Sequence, residues 1–163
     1  MLKDLDWPRI LKAALKNGGD FAELYGEDSE SLQMISEERR LEKIHPVRDR
    51  GVGLRVLWNG KTAYGFTNES SEKHLMDLAA AVSASVKAGR FEGPITPHPV
   101  PPPLAFSIRK APDSFSLDQK RELMRRAEET AWRFPEIRQV KVVYADIRKR
   151  VTIANSRGEI AEE

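Results

Sequence analysis

Three histidines, 25 carboxylates and no cysteine are the side chains from which this chain of 163 residues could build a reactive centre. His45 precedes Pro46, His74 sits near the start of a helical pattern, and His98 lies between prolines. No two of them have the i, i+4 spacing that places a pair of imidazoles on one helix face around a metal. The lack of cysteine removes thiolate nucleophiles, disulfides and sulfur-ligated zinc together. The adjacent acids Glu37-Glu38 and Glu128-Glu129 read as solvated surface pairs. There is no Gly-x-Ser-x-Gly elbow and no glycine-rich phosphate loop followed by lysine. Gly51-Val-Gly53 is only two glycines in a strand. Arg148-Lys149-Arg150 has no interleaved aromatic residues and is expected in a solvated loop, not a nucleic-acid platform. These residue types therefore nominate no catalytic residue, no cofactor-binding residue and no metal ligand.

Composition narrows the class further. Lys plus Arg total 27 against 25 acids, a formal charge of +2, and 32% of residues are charged. That balance suits a soluble globular protein with a modest core and disfavours a chain that coats phosphate backbones. No apolar run approaches the roughly 18 residues of a membrane span. The N-terminal segment has no uninterrupted apolar stretch of the secretory kind.

The elements that would position any site read as follows. Asp6 and Pro8 open a helix expected from about Asp6 to Asn17, with Trp7, Leu11, Ala14 and Leu15 on one stripe and Gly18-Gly19 as its stop. Two extended segments follow, near Phe21–Glu27 and Ser31–Arg39. Gly51–Asn68 is a β-hairpin closed by Asn59-Gly60, the dipeptide of two-residue type I′ turns. That turn predicts the pairs Trp58–Lys61, Val56–Ala63, Leu54–Gly65 and Val52–Thr67. One face then sets large aliphatics against small residues, a shallow trough for a helix. On the other face Arg55 meets Tyr64, a cation–π candidate. A helix from Ser71 to about Ala88, with Leu75, Leu78, Ala79, Val82 and Val86 at helical spacing and Gly89 at its end, is the natural cover for the trough. Pro94 to Pro112 holds seven prolines and reads as a semi-rigid strap, with a polyproline ligand as the alternative. The box Ser116–Gln119 opens a third helix to about Arg133, with Leu117, Met124, Ala127, Ala131 and Phe134 as its apolar side. Strands are expected near Gln139–Ala145 and Lys149–Asn155, then a turn at Ser156–Glu159 into a last extended segment ending at Glu163. The sheet is expected to be truncated at that C-terminal end.

The order of these pieces carries a resemblance. Asp20-Phe-Ala-Glu-Leu-Tyr25 and Arg40-Leu-Glu-Lys-Ile44 precede Gly51-Val-Gly-Leu-Arg-Val56, then Asn59-Gly60-Lys61 and Tyr64-Gly-Phe-Thr-Asn68. With the Ser71 helix, the proline-rich connection, the Ser116 helix and Val151–Ile160, this resembles the N-terminal domain of the TldD/PmbA family, also labelled modulators of DNA gyrase. The resemblance implies a cytoplasmic zinc metallopeptidase system that trims peptides and unfolded segments, in which TldD-like and PmbA-like subunits pair. It also implies that a His-Glu-x-x-x-His helix in a C-terminal domain supplies metal ligands and the catalytic Glu. No His-Glu pair occurs in residues 1–163, so no catalytic or metal-binding residue carries over, and zinc is implied only for a full-length TldD-like parent.

The fold expected is α+β, a mixed or mainly antiparallel sheet with helices packed on it. It comprises a first α/β unit (1–92), the strap (93–115) and a second helix–strand unit (116–163). The expected role is scaffolding and positioning of a partner or peptide, with a TldD- or PmbA-like subunit as partner, a peptide or unfolded protein as substrate, and no membrane. A stand-alone α/β module that binds peptides or proteins at an exposed sheet edge, near the strand after Gly158, is the alternative. A nucleic-acid module is a distant third, disfavoured by the charge balance.

Overall fold

A computed structural model describes residues 5–87, 93–101 and 108–163. Among these residues the elements run α1 (Trp7–Ala14), β1 (Phe21–Glu37), β2 (Arg40–Trp58), β3 (Lys61–Thr67), α2 (Glu72–Ala84), β4 (His98–Pro99), α3 (Leu117–Ala131), β5 (Lys141–Asn155) and β6 (Glu159–Glu162). A 3-10 turn at Pro112–Ser114 precedes α3. The strands form one mixed sheet in the order β3-β2-β1-β5-β6-β4, in which β4 runs parallel to β6 while β2–β3 and β5–β6 are antiparallel. The fold is α+β, as the element pattern implies. No helix among the described residues is long and apolar enough to cross a membrane.

The chain divides into two compact units. One comprises residues 1–28, 49–105 and 150–163, the other 29–48 and 106–149. The division falls inside β1, β2 and β5, so each of these strands lends a segment to both units.

The first unit has an apolar core. The hairpin pairs as its turn dictates, with Trp58 opposite Lys61, Val56 opposite Ala63, Leu54 opposite Gly65 and Val52 opposite Thr67. Asn59 (φ 47°) and Gly60 (φ 72°) both take the left-handed conformation that a type I′ turn requires. Val52, Leu54 and Val56 are buried on one face with Ile10, Leu11, Leu15, Leu24, Leu75 and Ala79. α2 packs on β3 and on α1. A Cβ at Gly65 would lie 2.7 Å from Leu78 Cδ1 and 3.1 Å from Val82 Cγ2, so the trough over the small residues is filled by α2.

Several boundaries differ from the sequence reading. α1 ends at Ala14 because the chain tightens: Lys16 N–H bonds to the Ala13 carbonyl and Gly18 N–H to Leu15. α2 ends at Ala84, with Ala88 and Gly89 outside the described residues. The reason is Asn17, whose side-chain amide donates to the Ser83 carbonyl at 2.9 Å while Val86 N–H takes the same oxygen in a tighter turn. The two extended segments after Gly19 are one strand, β1, and the two before Ser156 are also one, β5. The intervening residues 28–30 and 146–148 interrupt neither, because nothing there forbids extended backbone. Arg55 stands opposite Tyr64 as the register requires, but its guanidinium pairs with Glu23 at 3.1 Å on the neighbouring strand. Two residues of the proline-rich segment, His98 and Pro99, join the sheet as β4, with His98 N–H bonding the Gly158 carbonyl and Val100 N–H that of Ile160, both at 2.7 Å. The triple proline Pro101–Pro103 lies partly outside the described residues.

The second unit is built differently. Among the described residues its buried apolar side chains are Met34, Met124 and Val140, and Ser36, Lys120 and Glu128 are also buried.

Candidate functional site

The three histidines stand on three different elements. His45 is exposed on β2, His74 bonds Ser71 Oγ at 2.8 Å in the first turn of α2, and His98 Nδ1 lies 3.4 Å from the Thr96 carbonyl on β4. Among the described residues no group of three His, Asp, Glu or Cys side chains could hold a metal ion.

The densest polar chemistry instead lies beneath α3, within the second unit. Ser116 and Gln119 cap this helix reciprocally, each side chain taking the other residue's backbone N–H. Its buried face is Lys120, Met124 and Glu128, spaced i, i+4, i+8. Of the apolar side expected from the sequence, Met124 alone is buried, while Leu117, Ala127 and Phe134 are exposed and Ala131 is half-buried. The helix turns its polar stripe inward because the sheet beneath offers polar partners there.

At one end of this seam Lys120 Nζ lies 2.7 Å from Asp146 Oδ2, and Tyr144 donates its hydroxyl to the same oxygen at 2.6 Å. Lys120 Nζ also stands 5.7 Å from the Tyr144 ring centroid. Tyr144 and Asp146 alternate onto one face of β5, which brings both under the helix. Burial, with the Asp146 carboxylate accepting from it, pushes the Tyr144 hydroxyl up to about 12. Burial also works against the charge on Asp146, but the hydrogen bonds from Lys120 and Tyr144 outweigh it and hold this carboxyl below its usual range.

At the other end Glu128 accepts from Ser36 Oγ at 3.0 Å and from the backbone N–H of Arg39. Glu128 is 3% exposed, so it is not the solvated acid its sequence position implies; Glu129 is, on the outer face with Arg125. A step of 100° per residue separates the two environments. Arg39 and Glu38 form the β1–β2 turn with φ of 65° and 48°, a left-handed pair without glycine. Glu38 N–H bonds the Val140 carbonyl at 3.2 Å, and the Arg39 guanidinium lies 5.6 Å from the Trp132 ring centroid. These contacts over-determine a turn whose residues do not favour it. A cavity of about 470 Å³ opens beside it, lined by Ser36, Arg39, Leu41, Met124 and Glu128 among others.

The basic cluster at 148–150 is mid-strand in β5 and not a loop; Arg148 bonds Asp113 at 2.7 Å. Asp146 and Glu128 each accept two hydrogen bonds, which suits the seam to fixing a helix on a sheet. Lys120, Tyr144, Asp146 and Ser36 were not singled out from the sequence. The signals available for them were the i, i+4, i+8 interval on α3 and the two-residue alternation on β5.

Comparison with known proteins follows this architecture. A family model described as PmbA/TldA metallopeptidase domain 1 matches residues 22–89, and one described as the PmbA/TldA metallopeptidase central domain matches residues 110–163. No curated protein matches the chain. Among solved structures, a Bacteroides thetaiotaomicron protein named as a candidate modulator of DNA gyrase superposes with a TM-score of 0.71 at 19% identity, over 100% of this chain and 39% of that one. A Thermotoga maritima protein named in the same way gives 0.67 at 20%, over 95% of this chain and 35% of that one. TldE from Thermococcus kodakarensis gives 0.63 at 11%, over 94% and 36%. The chain thus spans little more than a third of these structures' length, and at such identities they show a shared fold. With two successive domains of one family matched along its length, the chain belongs to the PmbA/TldD metallopeptidase family.

Proposed function

We propose that this chain is the non-catalytic N-terminal part of a TldD/PmbA-type zinc metallopeptidase, working in the cytoplasm. It scaffolds the subunit and positions a TldD- or PmbA-like partner or a peptide substrate, while residues beyond these 163 perform the hydrolysis. The observation that supports this reading most is the pair of matches in family order, domain 1 at 22–89 and the central domain at 110–163. The polar seam under α3 agrees with it, since its carboxylates hold structure. A catalytic zinc needs about three protein ligands and an open position, and the dispersed histidines do not supply that set.

The test uses the purified chain. Alone, it is expected to bind no stoichiometric zinc and to cleave no unfolded peptide. Mixed with a TldD- or PmbA-type subunit, it is expected to co-elute on size exclusion. Stoichiometric zinc in the pure chain, or peptide cleavage that a chelator abolishes, would overturn the assignment.

A further inference from the structure

The sheet of the first unit has a second face, opposite the one covered by α1 and α2. Strand alternation puts Val52, Leu54 and Val56 on the covered side and Asp49, Gly51, Gly53 and Arg55 on the other. Tyr64 and Phe66 on β3 and Tyr25 on β1 share this second face and are exposed at 65%, 70% and 36%. Rings this exposed, gathered on one face of a sheet, mark a contact surface.

The rings are arranged around a pocket. Tyr25, Glu27, Asp49, Gly53, Tyr64 and Phe66 line a cavity of about 260 Å³. Gly53 is what lets Tyr64 lie across the floor: a Cβ there would sit 2.9 Å from the tyrosine hydroxyl oxygen and 3.1 Å from its ring carbon Cε2. Glu27 accepts the Tyr25 hydroxyl at 2.7 Å, which fixes that ring beside a carboxylate. Arg50 also borders the cavity, but alternation assigns its side chain to the opposite face with Val52. On this face Arg55 is engaged with Glu23 at 3.1 Å, and the Arg157 guanidinium lies 5.5 Å from the Phe21 ring centroid.

Three aromatic faces and two carboxylates stand around a glycine floor. Ring quadrupoles attract a cation placed over them, and carboxylate oxygens accept from more than one donor at once. We propose that this pocket binds the ammonium or guanidinium group of a lysine or arginine side chain carried by an extended polypeptide. The polypeptide context rests on the peptide-positioning role above; the preference for a cation rests on the pocket alone.

The experiment titrates the full chain with the capped hexapeptide Gly-Gly-Lys-Lys-Gly-Gly and, separately, with its Nε-acetylated form, following ring and lysine ε-methylene protons by NMR. Saturable upfield shifts of the ε-methylene protons are expected with the lysine peptide and not with the acetylated one. Phe66→Ala and Asp49→Asn are each expected to weaken binding about three- to tenfold; both positions are exposed, and unchanged circular dichroism shows that the fold persists. No saturable shift, equal binding of the acetylated peptide, or equal binding by both variants would overturn the proposal. A chain that self-associates through this face, with Phe66→Ala restoring the monomer and no lysine response, would also overturn it. Co-elution with a TldD- or PmbA-type subunit is measured independently, so loss of the cation site leaves that result standing.

Discussion

Lys120, Asp146 and Tyr144 show how a few side chains decide which face a helix buries. Removing one partner of a buried ion pair leaves the other charge uncompensated, whereas removing both together is often tolerated. Lys120→Met is therefore expected to destabilise the second unit by about 2–3 kcal/mol, and Lys120→Met with Asp146→Leu to recover most of that, both read from urea unfolding. The pH dependence has two limbs. Asp146 is depressed in the fold, so its contribution is full above the ordinary aspartate range near ~3.9 and is lost as pH falls through its folded value. Tyr144 is raised to about 12, so its contribution is full below the ordinary phenol value near ~10 and is lost as pH rises from there through its folded value. Thermal stability should thus fall in strong alkali, and Tyr144→Phe should flatten that alkaline limb. An unchanged limb in the variant would count against the hydroxyl's assigned environment.

At the scale of elements, the hairpin and the seam differ in how openly the sequence displays them. Asn59-Gly60 marks its own turn, and a two-residue loop then determines every pair from Trp58–Lys61 to Val52–Thr67. Gly60 has nothing within 4 Å of where a Cβ would stand, so its requirement is backbone conformation alone. Gly60→Val should destabilise the hairpin by about 1–2 kcal/mol, and an unchanged melting temperature would refute the register's dependence on this turn. The Glu38-Arg39 turn carries no such mark, because contacts from Val140, Glu128 and Trp132 impose its shape on residues that do not prefer it. For α3 the helical period was legible, but the choice of buried stripe was not. Leu117 and Phe134 outrank Lys120 and Glu128 in hydrophobicity, and only the acceptors and donors waiting on the sheet reverse that order. Local chemistry is written in neighbouring residues, whereas a buried carboxylate is recognised only through partners about 90 positions away.

At the scale of the whole molecule, the order of elements identifies the family, while the division into units cuts across it. Residues 29–48 and 106–149 belong together although more than fifty positions separate them, and nothing in composition announces that pairing. The proline-rich segment reads as a strap, yet two of its residues pair, making β4 one of the two edge strands among the described residues. In this parallel pairing the N–H groups of His98 and Val100 point inward to β6. The intervening backbone nitrogen faces away from the sheet, and it belongs to Pro99, which has no hydrogen to offer. A further strand approaching this border would find one of its acceptors unanswered, so the prolines silence the border as a template for polymerisation. Pro99→Val would restore the missing donor, and concentration-dependent light scattering should then rise above that of the parent chain. What composition presents as a tether thus also works as insulation, guarding the protein against copies of itself.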